Sequence, residues 1–302
     1  MNLKIVRTIV ELRQEIADYR LSKPVNPSVG FVPTMGFLHE GHASLIRQSS
    51  ASNGLTVLSI FVNPTQFGPG EDLDKYPRDE QRDLRIAADS GADLVFMPSV
   101  QEMYPNRRLT TVTVSEVTDR LCGASRPGHF DGVALVVAKL LNIVQPDRAY
   151  FGLKDAQQIA VIASMVQDLN IPVEIVPCPI VREPDGLALS SRNVYLEPEE
   201  RKQALILSQS LSQAAEWIHE GLTSSQLVQR LKDEINRSPL ADIDYVDILK
   251  YPDLGPIEAD KQLSEVDNRV LIAVAVRFGK TRLIDNRLLN PAEVGAQLCF
   301  AK

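Results

Sequence analysis

Two histidines three residues apart, His39 and His42, flank Glu40 and Gly41 within Pro33-Thr34-Met35-Gly36-Phe37-Leu38-His39-Glu40-Gly41-His42. The segment lies between a short apolar run at 29–33 and a helical pattern over 42–50, at a helix N-terminus. Such an end has unpaired N–H groups and positive potential, which suits phosphate. Imidazole N–H groups donate to phosphoryl oxygens without a long flexible cation, and Gly41 lets backbone approach a ligand closely. The plainer alternative is a polar helix cap with two surface histidines. A metal site needs a third ligand, which this segment does not supply.

Other candidate groups lie where strand patterns end. Asn63 and Gln66 follow the run 55–62, and their amides both donate and accept, which fits a hydroxy acid. Asn63-Pro64 reads equally as a strand-ending turn. Gly152, Lys154, Asp155 and Gln158 follow the run 147–151. Lys154 offers a point charge for phosphate, and Asp155 suits a ribose hydroxyl, a hydrated magnesium or a plain helix N-cap. Ser190-Ser191-Arg192, just past the Asp185-Gly186 turn, pairs hydroxyls with a guanidinium and matches triphosphate oxygens or a solvated loop. Tyr76 and Asp83 read either as site supports or as surface positions. His219 reads as a favourable charge at a helix C-terminus.

The elements that position these groups alternate. Residues 29–33, 55–62, 93–97, 147–151 and 173–177 read as short buried strands; helical patterns at 42–50, 78–90, 131–144 and 156–169 alternate with them. Alternation of this kind predicts right-handed βαβ units, an α/β parallel sheet, and a ligand site at the strands' carboxyl ends. Beyond about 187 the pattern predicts one long helix over 198–219 and another over 223–236. Strands at 243–249, 270–278 and 281–285 follow, the last two joined through Gly279-Lys280. The expected organisation is an N-terminal domain at 1–186 and a smaller α+β domain at 187–302.

With 32 basic and 39 acidic residues the net charge is −7, which argues against a general nucleic-acid surface. Any anionic substrate must be held by a local site. Cys122, Cys178 and Cys299 are far apart and form no C-x-x-C, as expected of reduced thiols in a cytoplasmic protein. Charges interrupt the apolar N-terminal positions, and no uncharged apolar run approaches the ~20 residues of a membrane span.

PTMGFLHEGH resembles the H-x-G-H signature of the nucleotidyltransferase superfamily and, more specifically, the pantoate–β-alanine ligase family. Further blocks match that family in order: SIFVNPTQF from Ser59, YPR from Tyr76, ASRPGHF from Ala124, FGLKDAQQ from Phe151, DGLALSSRN from Asp185 and RLIDN from Arg282. The resemblance implies a Rossmann-like N-terminal domain, a C-terminal lid domain and a homodimer. It also implies ATP-dependent, magnesium-dependent ligation of pantoate to β-alanine through a pantoyl adenylate, releasing AMP and pyrophosphate. By the same resemblance His39, His42, Lys154, Ser190, Ser191 and Arg192 are catalytic, with His42 a proton donor. ATP is expected on Met35, Gly36, Phe37, Leu38, His39, Glu40, Gly41 and His42, on Gly152, Leu153, Lys154 and Asp155, and on Val181, Leu189, Ser190, Ser191 and Arg192. Gln66, Gln158 and Asn63 are expected on pantoate or β-alanine, with Arg126 and His129 as supports near them. No metal ligand is assigned. Leu153 replaces the usual Glu and Leu189 a common Met, so backbone contacts are the safer expectation there. Another nucleotidyltransferase and a non-enzymatic ATP-binding regulator are the rival classes. A tRNA synthetase is disfavoured by the lack of an evident anticodon domain.

Overall fold

Burial on both faces explains the central strands, whose sequences are runs of apolar residues without alternation. The computed structural model describes residues 3–23, 27–68, 70–71 and 73–291. The described residues form two units, one within 1–153 and 161–181, the other from 154–160 and 182–291.

The first unit opens with β1 (Lys4–Val6) and α1 (Ile9–Ser22), then β2 (Val29–Thr34), α2 (Glu40–Ser52) and β3 (Leu55–Ile60). It continues through α3 (Glu80–Asp89), β4 (Leu94–Phe96), α4 (Val100–Met103), α5 (Leu121–Ser125), α6 (His129–Val144) and β5 (Arg148–Gly152). Helix α7 (Ala156–Asp168) begins among the residues grouped with the second unit, and β6 (Glu174–Cys178) closes the sheet. The six strands are all parallel, in the order β1-β4-β3-β2-β5-β6. From β2 the chain steps outward through β3 and β4, then returns to the other side of β2 with β5. The switch point therefore lies between β2 and β5, where ligands of open parallel sheets bind beyond the carboxyl ends.

Val32, Leu38, Ile46, Leu58, Val95 and Tyr150 make one core of this unit, each at most 1% exposed. Each such aliphatic or aromatic side chain contributes roughly 1.5–3 kcal/mol by leaving water. Neither β1 nor α1 was expected. Three residues are too few to show a pattern, and α1 buries only Leu12 and Ile16 while Val10 and Leu21 stay exposed. Its start is marked by a reciprocal capping box between Thr8 and Glu11.

In the second unit a helix expected over 198–219 is two helices, α8 (Pro198–Gln203) and α9 (Ile206–His219). Ala204 is fully buried in the unit's core, and Gln203 Oε1 accepts from Ser238 Oγ at 2.7 Å and Leu240 N at 3.0 Å. Between the helices Leu207 N bonds Ala204 O three residues back, a tighter 3₁₀-type bond. After α10 (Ser224–Ile235), strands β7 (Ala241–Lys250), β8 (Val270–Phe278) and β9 (Thr281–Leu289) form an antiparallel sheet. Trp217, Leu227, Leu231, Val274 and Val276 pack between helices and sheet.

Among the described residues no helix is long and apolar enough to cross a membrane. Cys122 and Cys178 are buried thiols, while Cys299 lies outside the described residues. Burial pushes the Cys178 thiol up to about 11, so little thiolate exists near neutrality. Native protein at pH 8 is expected to leave Cys178 unalkylated by iodoacetamide, read by peptide mass spectrometry. Modification as fast as in denatured protein would contradict its burial.

Candidate active site

The turn joining β2 to α2 is held by a carboxylate from another helix. Gly36 and Phe37 both have positive φ, +86° and +50°. A Cβ at Gly36 would sit 2.9 Å from Ile60 Cγ2 and 3.0 Å from Asp83 Oδ2, so glycine is required on two counts. Asp83, 2% exposed, accepts from Phe37 N at 2.8 Å and Leu38 N at 2.6 Å. Burial pushes its carboxyl up from the usual range, against those two bonds, which favour the charged form. The Arg82 guanidinium lies 4.8 Å from the Phe37 ring centre. A surface role for Asp83 is thereby excluded, as it is for Tyr76, which is buried and meets Phe67 edge-on.

Helix α2 starts with a capping box made of histidines. His39 is the N-cap, and its Nδ1 accepts from Gly41 N at 3.1 Å. His42 Nδ1 accepts in turn from His39 N at 3.2 Å, and the rings lie 4.1 Å apart. An Nδ1 that accepts a backbone N–H carries no proton, so each neutral ring bears it on Nε2. The cap and the phosphate-donor readings are thus compatible: Nδ1 serves the helix, and Nε2–H is the donor.

Asn63 is 1% exposed, and its amide is fully engaged within the protein. Its Nδ2 donates to Gln66 Oε1 and Gly132 O, both at 3.1 Å. Its Oδ1 accepts from Tyr104 OH at 2.9 Å, Thr65 Oγ1 at 3.0 Å and Thr65 N at 3.3 Å. Held by these bonds, the Asn63 side chain fixes the orientation of Gln66. Gln66 Oε1 is thus held by Asn63, and its Nε2 donates to Met35 Sδ at 3.1 Å. Tyr104 and Gly132, which complete this arrangement, carried no signal in the sequence beyond their residue types.

A second chain of bonds supports the Gln66 backbone. Glu71 takes Arg126 in two bonds, 2.8 and 2.6 Å, and Arg126 Nη1 lies 3.0 Å from His129 Nε2. His129 Nδ1 lies 2.8 Å from Gln66 O. A carbonyl only accepts and a guanidinium only donates, so His129 is protonated on Nδ1. The Arg126 hydrogen bonds hold the Glu71 carboxyl below its usual range. A depressed carboxylate stabilises the fold above its unfolded pKa of ~4.3, and that stability is lost as pH falls through the folded value. The melting-temperature gap between wild type and Glu71→Gln should therefore narrow from about pH 5 to about pH 3. A constant gap over that range would show the pair to be idle.

Two further segments are grouped in the second unit. Leu153–Asp155 is a 3₁₀ turn running into α7, with Lys154 Nζ 3.9 Å from the half-exposed Asp155 carboxylate and Gln158 one turn further on. Arg182 and Ala188 bridge a short hairpin closed by Glu183 and Gly186, which follows Val181. Past Leu189, Ser190 Oγ accepts from Arg192 N at 3.3 Å and opens the 3₁₀ turn Ser191–Tyr195. Asn193 Nδ2 ties this turn back to Glu183 Oε1 at 3.0 Å and Ala188 O at 3.1 Å. His219 sits in the last turn of α9, as expected.

A family model described as pantoate-beta-alanine ligase matches residues 4–288. The chain belongs to the pantoate–β-alanine ligase family. A pantothenate synthetase of Acetivibrio thermocellus is 54% identical over 289 residues, covering 95% of this chain and 100% of that protein. One from Bacillus cereus is 53% identical, covering 95% and 99%. The crystal structure of pantothenate synthetase from Thermus thermophilus has a TM-score of 0.85 at 45% identity, covering 96% and 99%. Pantoate-beta-alanine ligase from Francisella tularensis, complexed with beta-gamma ATP and beta-alanine, has a TM-score of 0.77 at 34% identity, covering 96% and 100%.

The blocks shared with pantoate–β-alanine ligases divide between the two units. The first unit brings Met35, His39, His42, Asn63 and Gln66 together at the carboxyl ends of β2 and β3. The second carries Lys154, Asp155 and Gln158 on one segment and Ser190, Ser191 and Arg192 on another. Among the described residues no group of three or more His, Cys, Asp or Glu side chains could hold a metal ion.

Proposed function

We propose that this chain joins pantoate to β-alanine at the expense of ATP, forming pantothenate, AMP and pyrophosphate. The observation that carries the reading is the pair of histidines that cap α2 through Nδ1 and keep Nε2–H as donors. In the first step a pantoate carboxylate oxygen bonds to the α-phosphorus as the bond to pyrophosphate breaks. Negative charge grows on phosphoryl oxygens, and preorganised donors lower the barrier most there. His39 and His42 supply such hydrogen-bond donors through Nε2–H, while Gly36 and Gly41 admit the nucleotide near the backbone. Gln66 Nε2 donates to pantoate, and Gln158 is its counterpart on α7. Lys154 places a point charge, and Ser190, Ser191 and Arg192 supply hydroxyls and a planar cation for the triphosphate. In the second step the neutral β-alanine amine attacks the acyl carbon, AMP leaves and the amine's proton passes to solvent. An acyl adenylate is labile to water, and shielding it is the role read for residues 187–302.

The reading includes Mg2+, which would screen the triphosphate charge. A hard cation that keeps phosphate and water ligands needs few protein carboxylates, and half-exposed Asp155 suits a hydrated ion. A cytoplasmic homodimer is carried forward from family membership.

Two assays test the function. Labelled pyrophosphate should exchange into ATP only when pantoate is present, and AMP release should then require β-alanine. Pantoate-independent exchange, or a product yield indifferent to β-alanine, would sink it.

A further inference from the structure

The block Arg282-Leu283-Ile284-Asp285-Asn286 has a family match and, in the reading above, no task. It lies on β9, where consecutive side chains point to opposite faces, yet Asp285 and Asn286 are only 3% and 5% exposed. Neighbouring polar side chains buried on both faces of a strand need partners on both sides. Asp285 takes Arg182 in two bonds, 2.6 and 3.0 Å, and Arg182 Nη1 also donates to Gly186 O at 3.2 Å. Arg201 reinforces the same hairpin through Glu183 and Asp185, both at 2.8 Å. Asn286 Nδ2 donates to the backbone oxygen of Lys154 at 2.9 Å, across 132 residues of sequence.

We propose that Asp285 and Asn286 are positioning residues: β9 is a bracket that fixes the Lys154 segment and the hairpin leading to Ser190-Ser191-Arg192 in one body. The inference rests on the reading that both segments bind ATP phosphates. Residues Lys154–Ala160 group with Arg182–Lys302, although they follow directly on a strand of the parallel sheet. Lys154 therefore keeps its spacing to the Ser190–Arg192 turn through β9. Displacing such a group by ~1 Å costs about 10²-fold in rate.

Asn286→Ala should lower pantoate-dependent pyrophosphate exchange about 10²-fold and raise the KM for pantoate as well, since Gln158 lies on the same segment as Lys154. Should that variant fold poorly, Asn286→Asp keeps the volume, replaces the donor by an acceptor and should show the same loss. The decisive measurement is made in a Lys154→Ala background, where Asn286→Ala should add less than about threefold because the two changes remove one function. Asp285→Asn should likewise be non-additive with Arg192→Ala. Equal losses with and without Lys154, or full exchange in Asn286→Ala, would overturn the bracket. Full exchange in Lys154→Ala alone would instead overturn the assigned role of Lys154, and the bracket's purpose with it.

Discussion

His39→Asn is expected to melt like wild type and to lose about 10²–10³ in kcat for adenylation. The two properties separate because the two ring nitrogens have different tasks. Nδ1 accepts from Gly41 N as the N-cap of α2. Asparagine is among the best N-caps, and its Oδ1 takes over that bond. Its amide nitrogen stops short of the place where the imidazole Nε2–H donates. His39→Ala should lose both, with about 1 kcal/mol of stability gone alongside the rate. His42→Ala should resemble it, since the ring also accepts from His39 N. Thermal melts beside single-turnover formation of the adenylate provide the check. Wild-type kinetics in His39→Asn would reduce the histidine to a cap.

Gly132→Ala is expected to damage both packing and pantoate use in the first unit. Its Cβ would fall 2.3 Å from Thr65 O, 2.6 Å from Gln66 N and 2.5 Å from Gln66 Cα. All three are backbone atoms, so no side chain can swing away; α6 and the 3₁₀ turn Pro64–Gln66 must separate. Overpacking of this kind costs roughly 1–3 kcal/mol. Because Gly132 O also accepts from Asn63 Nδ2, the same movement releases the amide that orients Gln66. A displacement of ~1 Å is expected to reduce kcat/KM for pantoate about 10²-fold. The KM for ATP should barely move. A lower melting point with unchanged pantoate kinetics would mean that packing at Gly132 does not place Gln66.

Legibility in the sequence followed length and burial. Strands β2 to β5 could be read because buried parallel strands are rich in apolar residues and helical periods separate them, and the alternation then pointed to β6, an edge strand that buries only Cys178. Lys4–Val6 is too short to show a period, and α1 announces itself only through Thr8 and Glu11. The division at Ala204 and Leu205 was not readable, because both residues are good helix formers and both keep helical backbone angles. The grouping of 154–160 with 182–302 is not something a linear cut of the chain can express.

The chemical inventory was determined by the sequence alone: two histidines at a helix start, amides after β3, a lysine after β5, a Ser-Ser-Arg turn. Residue types set what a group can donate, accept or charge, and short spacings set which groups share a turn. Tertiary structure decided how each is used. Backbone donors at Gly41 and His39 leave the imidazole protons on Nε2. Asn63, oriented by Tyr104 and by Gly132, fixes the orientation of the Gln66 amide. Asn286 ties Lys154 to the body that carries Ser190-Ser191-Arg192. Each decision is a hydrogen bond whose partner is set by the fold as a whole, and a bond's direction and distance do not exist until the partner has been packed into place.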